Sequence, residues 1–118
     1  MPDGTGFLGA DEILAKHDQK IIELEVPEWG GRVRLRTLKG HERGGLEALY
    51  QKSKGIVRDF RERFAALCLC DEKGARLFTD LQVKLLGEKS AAALDRIFDA
   101  AAKLNHFTKE AVEELEGN

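Results

Sequence analysis

The residues of this chain whose types could carry chemistry are few: Cys68 and Cys70, three histidines, and a glycine-spaced stretch at the N-terminus. Gly4, Gly6 and Gly9 match G-x-G-x-x-G. A dinucleotide-binding loop needs a strand before it, to present phosphates to a helix N-terminus at a sheet edge. Only Met1, Pro2 and Asp3 precede it here, so the stretch reads as a flexible start. His17, His41 and His106 share no metal-ligand spacing, and His41-Glu42 lacks the second histidine of a zincin helix. Cys68-x-Cys70 has no neighbouring histidine to act as base and no second pair to complete a zinc site. The two thiols are too close for a bridge within one regular element and read as small, buried groups in a reducing compartment. Asp71-Glu72-Lys73-Gly74 lacks the alternating ligands and closing glutamate of a calcium loop and reads as a tight turn. Ser53, Ser90 and Thr108 have no base at a definable distance, and Ser90 and Thr108 suit helix N-caps. These residues point to no enzyme, no cofactor and no metal.

Balance is the second message. The 118 residues suffice for one domain with its own core, placed at 1–118. Nineteen basic and 21 acidic side chains give a net charge of −2, and residues 1–59 hold ten of each. No basic footprint exists, which argues against nucleic acid as the partner. No run approaches the roughly 18 apolar residues of a membrane span, and no export signal is visible at Met1. A cytosolic, highly charged protein is expected.

The elements follow from periodicity. Residues 1–8 are glycine-rich and expected to be disordered. A short helix through residues 12–17 would use Ile13 and Leu14 as its apolar contacts. Residues 20–38 then alternate strictly. Ile22, Leu24, Val26, Val33 and Leu35 share one face, and Glu23, Glu25, Arg32, Arg34 and Arg36 share the other, as in a half-buried hairpin. Pro27 cannot donate to a ladder and Gly30-Gly31 can take positive φ, so the chain reverses between them.

From residue 41 to 116 the period becomes helical. A helix near 41–52 carries Leu46, Leu49 and Tyr50. An amphipathic helix from Ile56 carries Phe60, Phe64, Leu67 and Cys68. Thr79 and Gln82 form a capping box for a short helix through Leu81, Val83, Leu85 and Leu86. Ser90 caps a longer helix striped by Leu94, Ile97, Phe98, Ala101 and Leu104. Asn105-His106 breaks the pattern, and Thr108 opens a last piece with Ala111, Val112 and Leu115. The fold class is therefore α+β: a small, mostly helical domain of about five helices with one N-terminal β-hairpin.

A lone hairpin is marginal in water, so its apolar face must pack on the helices. Its charged face pairs glutamates with arginines and is expected to be a solvated ladder. Trp29, at the turn, is divided between tucking onto the core and anchoring a partner. Trp29, Arg32, Arg34, Arg36, Phe60 and Phe98 are the candidate partner or oligomer contacts. Grooves for a partner helix are expected at the edges of the Phe60/Phe64/Leu67 and Leu94/Ile97/Phe98 stripes.

In this order of elements, the hairpin loop from Val26 to Val33 (Pro-Glu-Trp-Gly-Gly at its centre) and the turn from Asp71 to Asp80 (Asp-Glu-Lys-Gly-Ala-Arg-Leu-Phe-Thr) resemble the tail assembly chaperones of long-tailed, non-contractile bacteriophages. The resemblance covers roughly residues 8–118 and includes the helix ending at Lys103-Leu104-Asn105. It implies a non-enzymatic phage or prophage protein of the siphovirus type. Such a protein binds the tape measure protein, keeps it soluble, and promotes assembly with the tail tube protein. It implies a homo-oligomer in the host cell cytoplasm, absent from the mature virion. Family members are often also made in a longer frameshifted form, and an end at Gly117-Asn118 suits the short product. Two other readings stand beside it: a small regulatory or host-interaction protein of phage or bacterium, and a tail completion protein. The hairpin, with its self-complementary charges, is expected to take part in the subunit contact.

Overall fold

A computed structural model describes residues 4–55 and 57–107. Among them are α1 (Ala10–Leu14), β1 (Ile21–Val26), β2 (Gly31–Arg36), α2 (Gly40–Lys52), α3 (Phe60–Cys68), β3 (Leu69–Cys70), α4 (Val83–Leu86) and α5 (Ala91–Leu104). The α+β class with an N-terminal hairpin is what the structure shows. The helical piece expected from Thr108 onward lies outside the described residues, as do Met1, Pro2, Asp3 and Ile56.

The hairpin forms in the register set by its alternation. Glu23 faces Arg34, Leu24 faces Val33 and Glu25 faces Arg32. A single 3₁₀ turn, Pro27–Trp29, closes it, and Gly30 takes the left-handed conformation at φ 67° that lets the chain enter β2. One strand was not legible in advance. Leu69 and Cys70 leave α3 in extended conformation and pair antiparallel with Leu35 and Arg34, so the sheet has the order β1-β2-β3. The turn after β3 is held by Asp71, whose Oδ1 accepts from the backbone N–H of Lys73 (2.8 Å) and Ala75 (3.0 Å). It returns the chain to a bridge between Cys70 and Arg76. The tight-turn reading of Asp71-Glu72-Lys73-Gly74 holds, and its carboxylate is engaged locally.

The core lies between the sheet and helices α3 and α5. Val26 and Leu35 meet Phe60, Phe64, Ile97 and Phe98 there. The rings of Phe60, Phe64 and Phe98 sit 5.6–5.9 Å apart, two of the pairs edge-on, and Phe107 joins Phe64 at 5.1 Å. Aromatic pairs in this geometry add to the burial of area alone. Ser90 caps α5 as its sequence implied, its Oγ accepting from the Ala93 N–H at 3.2 Å. Leu94, Ile97, Phe98, Ala101 and Ala102 give that helix its buried stripe.

Three expectations need correction. The helix expected from Ile56 begins at Phe60, because Asp59 adopts the left-handed conformation at φ 57° and interrupts the helical path. Gly55, at φ 85°, packs under the Tyr50 ring, where an added Cβ would sit 3.4 Å from its hydroxyl. Ile13 and Leu14 are not contacts of α1 with the body, since that helix buries no residue. Leu67, expected in the core with Phe64, is only half-buried.

Candidate functional site

The cysteines are free and buried. Burial pushes the Cys68 thiol up to about 12, and burial likewise raises Cys70. A thiol held neutral in this way is a poor nucleophile and a poor metal ligand at neutral pH. Among the described residues no group of three or more His, Cys, Asp or Glu side chains converges as a metal site. No described helix is long and apolar enough to cross a membrane.

The arginine row of β2 divides. Arg32 pairs with Glu23 diagonally across the hairpin, Nη1 to Oε1, at 2.9 Å, and both side chains are largely in solvent. Arg34 is exposed. Arg36 departs from the solvated ladder: it is buried, its Nε donates to the Leu67 carbonyl at 2.9 Å, and its Nη2 donates to Glu42 Oε2 at 2.6 Å. The other oxygen of Glu42 accepts the Lys39 N–H at the start of α2, at 2.8 Å. The last turn of α3 and the start of α2 meet the end of β2, and the guanidinium bonds to both. Arg36, Phe60 and Phe98 are thus occupied inside the fold, which corrects their candidacy as surface contacts. Trp29, Arg32 and Arg34 stay on the surface.

Trp29 is 38% exposed. Its turn is fastened to α5 by Glu28, whose two carboxylate oxygens accept from Arg96 Nε and Nη2, each at 3.1 Å. That pairing holds Glu28 below the ordinary carboxylate value and raises Arg96. A two-pronged pair of this kind fixes orientation as well as distance.

Exposed apolar side chains collect in two places. On the segment that enters α4, Leu77, Leu81 and Leu85 are 52%, 94% and 57% exposed, while Val83 and Leu86 of the same stretch are buried. Leu77 lies in a bend, Leu81 in a 3₁₀ turn and Leu85 in α4, so the three leucines belong to no single helix face. Thr79 begins this stretch, its N–H donating to Gln82 Oε1 at 2.8 Å. The second place is the N-terminal arm, where Phe7, Leu8, Ile13 and Leu14 all stand in solvent.

Between α2, α3 and the Arg76–Asp80 turn lies an open cleft of about 320 Å³. Leu46, Leu49 and Leu67 give it an apolar part, and His41, Glu42, Arg63, Arg76 and Asp80 line the rest with both charges. Arg76 is fixed by a 3.2 Å bond from Nε to the Ala66 carbonyl and by a 2.9 Å pair with Asp80. Of the two helical stripes expected to edge a groove, Leu67 alone lines this cleft. The remaining residues of those stripes are buried in the core. No family model, no curated protein and no solved structure matches this chain.

Proposed function

We propose that this protein is a non-enzymatic tail assembly chaperone of a long-tailed, non-contractile phage or prophage. In this reading it binds the tape measure protein in the host cell cytoplasm, keeps it soluble while the tail tube protein assembles around it, and leaves before the virion is complete. It works as a homo-oligomer and takes neither nucleic acid nor membrane as partner.

The observation that carries the reading is the leucine ledge. Leu77, Leu81 and Leu85, spaced four residues apart, stand largely in water in a chain whose residues are 34% charged and whose core is otherwise closed. Apolar side chains grouped in this way on a charged surface mark an interaction face. An amphipathic client helix presents an apolar stripe that exposed leucines of this kind can cover. The motif likeness in the hairpin loop and in the turn from Asp71 to Asp80 supports the phage assignment. That turn also leads directly into the ledge.

The test is co-expression of a tagged copy with the large, helix-rich protein encoded beside it. Wild type should retain that protein in the soluble fraction, and Leu81→Asp should release it without changing the circular dichroism of the chaperone. Failure of wild type to retain it would sink the reading. Presence of the protein in purified particles would favour a structural tail subunit instead.

A further inference from the structure

We propose that the open edge of β1 is a docking site for an extended segment of a partner protein, in which apolar and basic residues alternate, taken up antiparallel as a fourth strand. β1 and β3 form opposite edges of the sheet, and the leucine ledge follows β3. The inference therefore stands independently of the client assigned above.

The hydrogen-bond phase of the hairpin defines this edge. In an antiparallel pair, facing residues alternate between exchanging backbone bonds with each other and turning those groups outward. The Thr37 N–H donates to the Lys20 carbonyl at 2.9 Å, so the bonded set continues with Ile22, Leu24 and Val26, opposite Leu35, Val33 and Gly31. Ile21, Glu23 and Glu25 therefore turn their backbone N–H and C=O away from β2. Among the described residues, nothing bonds to these outward groups. The register runs from Ile21 to Val26 without a bulge, and Pro27 lies just beyond the strand. An edge this regular is a ready template for one more strand unless charge opposes it.

Charge decides which strand is accepted. Glu23 and Glu25 are exposed on one face of β1, and Ile22 and Leu24 on the other face are only half-buried. If β1 of a second copy paired through the outward groups, the two registers of greatest overlap would set Glu23 against Glu23, or Glu23 against Glu25. Like charges directly opposite destabilise a pair, so the edge rejects its own copy and favours a basic strand. Arg32, directly opposite Glu25, bonds Glu23 instead at 2.9 Å, which leaves Glu25 without an ion-pair partner among the described residues. Arg32 and Arg34 belong to the next strand inward, about 10 Å from an added one, and salt screens them at that range. Lys20 stands at the start of the edge, so the basic residues of the partner fall opposite Glu23 and Glu25. Its apolar residues then lie beside Ile22 and Leu24 and extend the core face of the sheet. Main-chain bonds supply the affinity in this mode, and the alternate side chains supply the specificity.

The experiment is fluorescence anisotropy of the full chain with a short labelled peptide in which lysine and valine alternate. Binding with a Kd below about 100 μM is expected at low salt. Two derivatives of equal charge separate strand addition from simple attraction. In the proposed pairing the lysines opposite Glu23 and Glu25 point their N–H groups at β1, and the valines point theirs at solvent. Methylating the lysine backbone nitrogens should weaken binding at least about tenfold, and methylating those of valine should change it little. Glu25→Lys, at an exposed position, should weaken the parent peptide as much, with circular dichroism checking that the variant folds. Hydrogen exchange gives the location: the amides of Ile21, Glu23 and Glu25 should exchange fast in the free protein and slow on addition of the peptide. Absence of binding overturns the proposal. So does equal binding of the two methylated peptides, which would reduce the contact to charge alone. Protection of the same three amides without peptide, rising with protein concentration, would make a second copy the occupant and overturns it as well.

Discussion

Arg36 is the residue on which the interior depends. Its side chain and that of Glu42 are both removed from water, and the pair ties β2 to the last turn of α3 and to the start of α2. A buried pair adds little net stability over an apolar substitute, but removing one partner leaves an uncompensated charge. Arg36→Met should therefore cost about 3–5 kcal/mol in urea unfolding, and the double variant Arg36→Met with Glu42→Leu should recover part of it. A double variant no more stable than the single one would mean that the Leu67 carbonyl, rather than Glu42, is the partner that matters. Cys68 gives a second outcome at this scale. With its thiol raised to about 12 by burial, it should react with a disulfide reagent at pH 8 only after denaturant is added, and Cys70 should be slow as well. Fast labelling of both thiols in the native protein would show that β3 opens readily.

Among elements, the joints decide more than the helices themselves. Asn105 ends α5 and clamps three pieces of chain. Its Oδ1 accepts the Leu38 N–H at 2.8 Å, and its Nδ2 donates to the Ala101 carbonyl at 2.9 Å and lies 3.8 Å from Cys68 Sγ. Asn105→Ala leaves the Leu38 N–H without that acceptor and should cost about 1–3 kcal/mol. Asn105→Asp, which keeps the acceptor, should cost less. The Glu28–Arg96 joint between the hairpin turn and α5 responds to pH. The Arg96 hydrogen bond holds Glu28 below its ordinary value of 4.5, and the backbone N–H groups of Ala75 and Lys73 hold Asp71 below 3.8. For a carboxylate with a depressed folded value, the stabilisation is present above the unfolded value and disappears as pH falls through the folded one. The thermal midpoint should therefore drop as pH falls below about 4.5, and Glu28→Gln should remove part of that drop. The Glu28–Arg96 pair lies at the surface, so salt should weaken its share. A wild-type midpoint flat from pH 5 to about pH 3 would show that neither contact matters to stability.

At the scale of the whole molecule, the described residues share one core cluster and leave apolar surface over. The sheet, α3 and α5 close a single core around the phenylalanine cluster, and what that core cannot absorb is displayed on the arm and the ledge. Contrasting substitutions measure the division. Phe64→Ala opens the centre of the cluster and should cost about 3–5 kcal/mol. Leu67→Ala, at a half-buried position lining the cleft, should cost clearly less. Equal losses from the two would place Leu67 in the core after all.

The hairpin, the α2 position, the capped α5 and its stripe were all legible in the sequence. Each is a local decision: alternation at period 2, apolar spacing at period 3.6, and caps within four residues of the turns they close. Tertiary structure decided what depends on partners distant in sequence. Strand β3 is two residues long and has no pattern of its own; it exists because the edge of β2 offers unpaired backbone groups to Leu69 and Cys70. Arg36, at the end of β2, meets the last turn of α3 and the start of α2 and changes from a surface charge to a buried one, while Arg32 and Arg34 remain outside. The same holds for the apolar residues. Periodicity identifies Phe60, Leu67, Leu81 and Phe98 as members of faces, but only packing determines which faces find a partner within the chain. Phe60 and Phe98 found one. Leu81 did not, and no local rule separates the two cases, because burial belongs to the pair of surfaces and not to either alone.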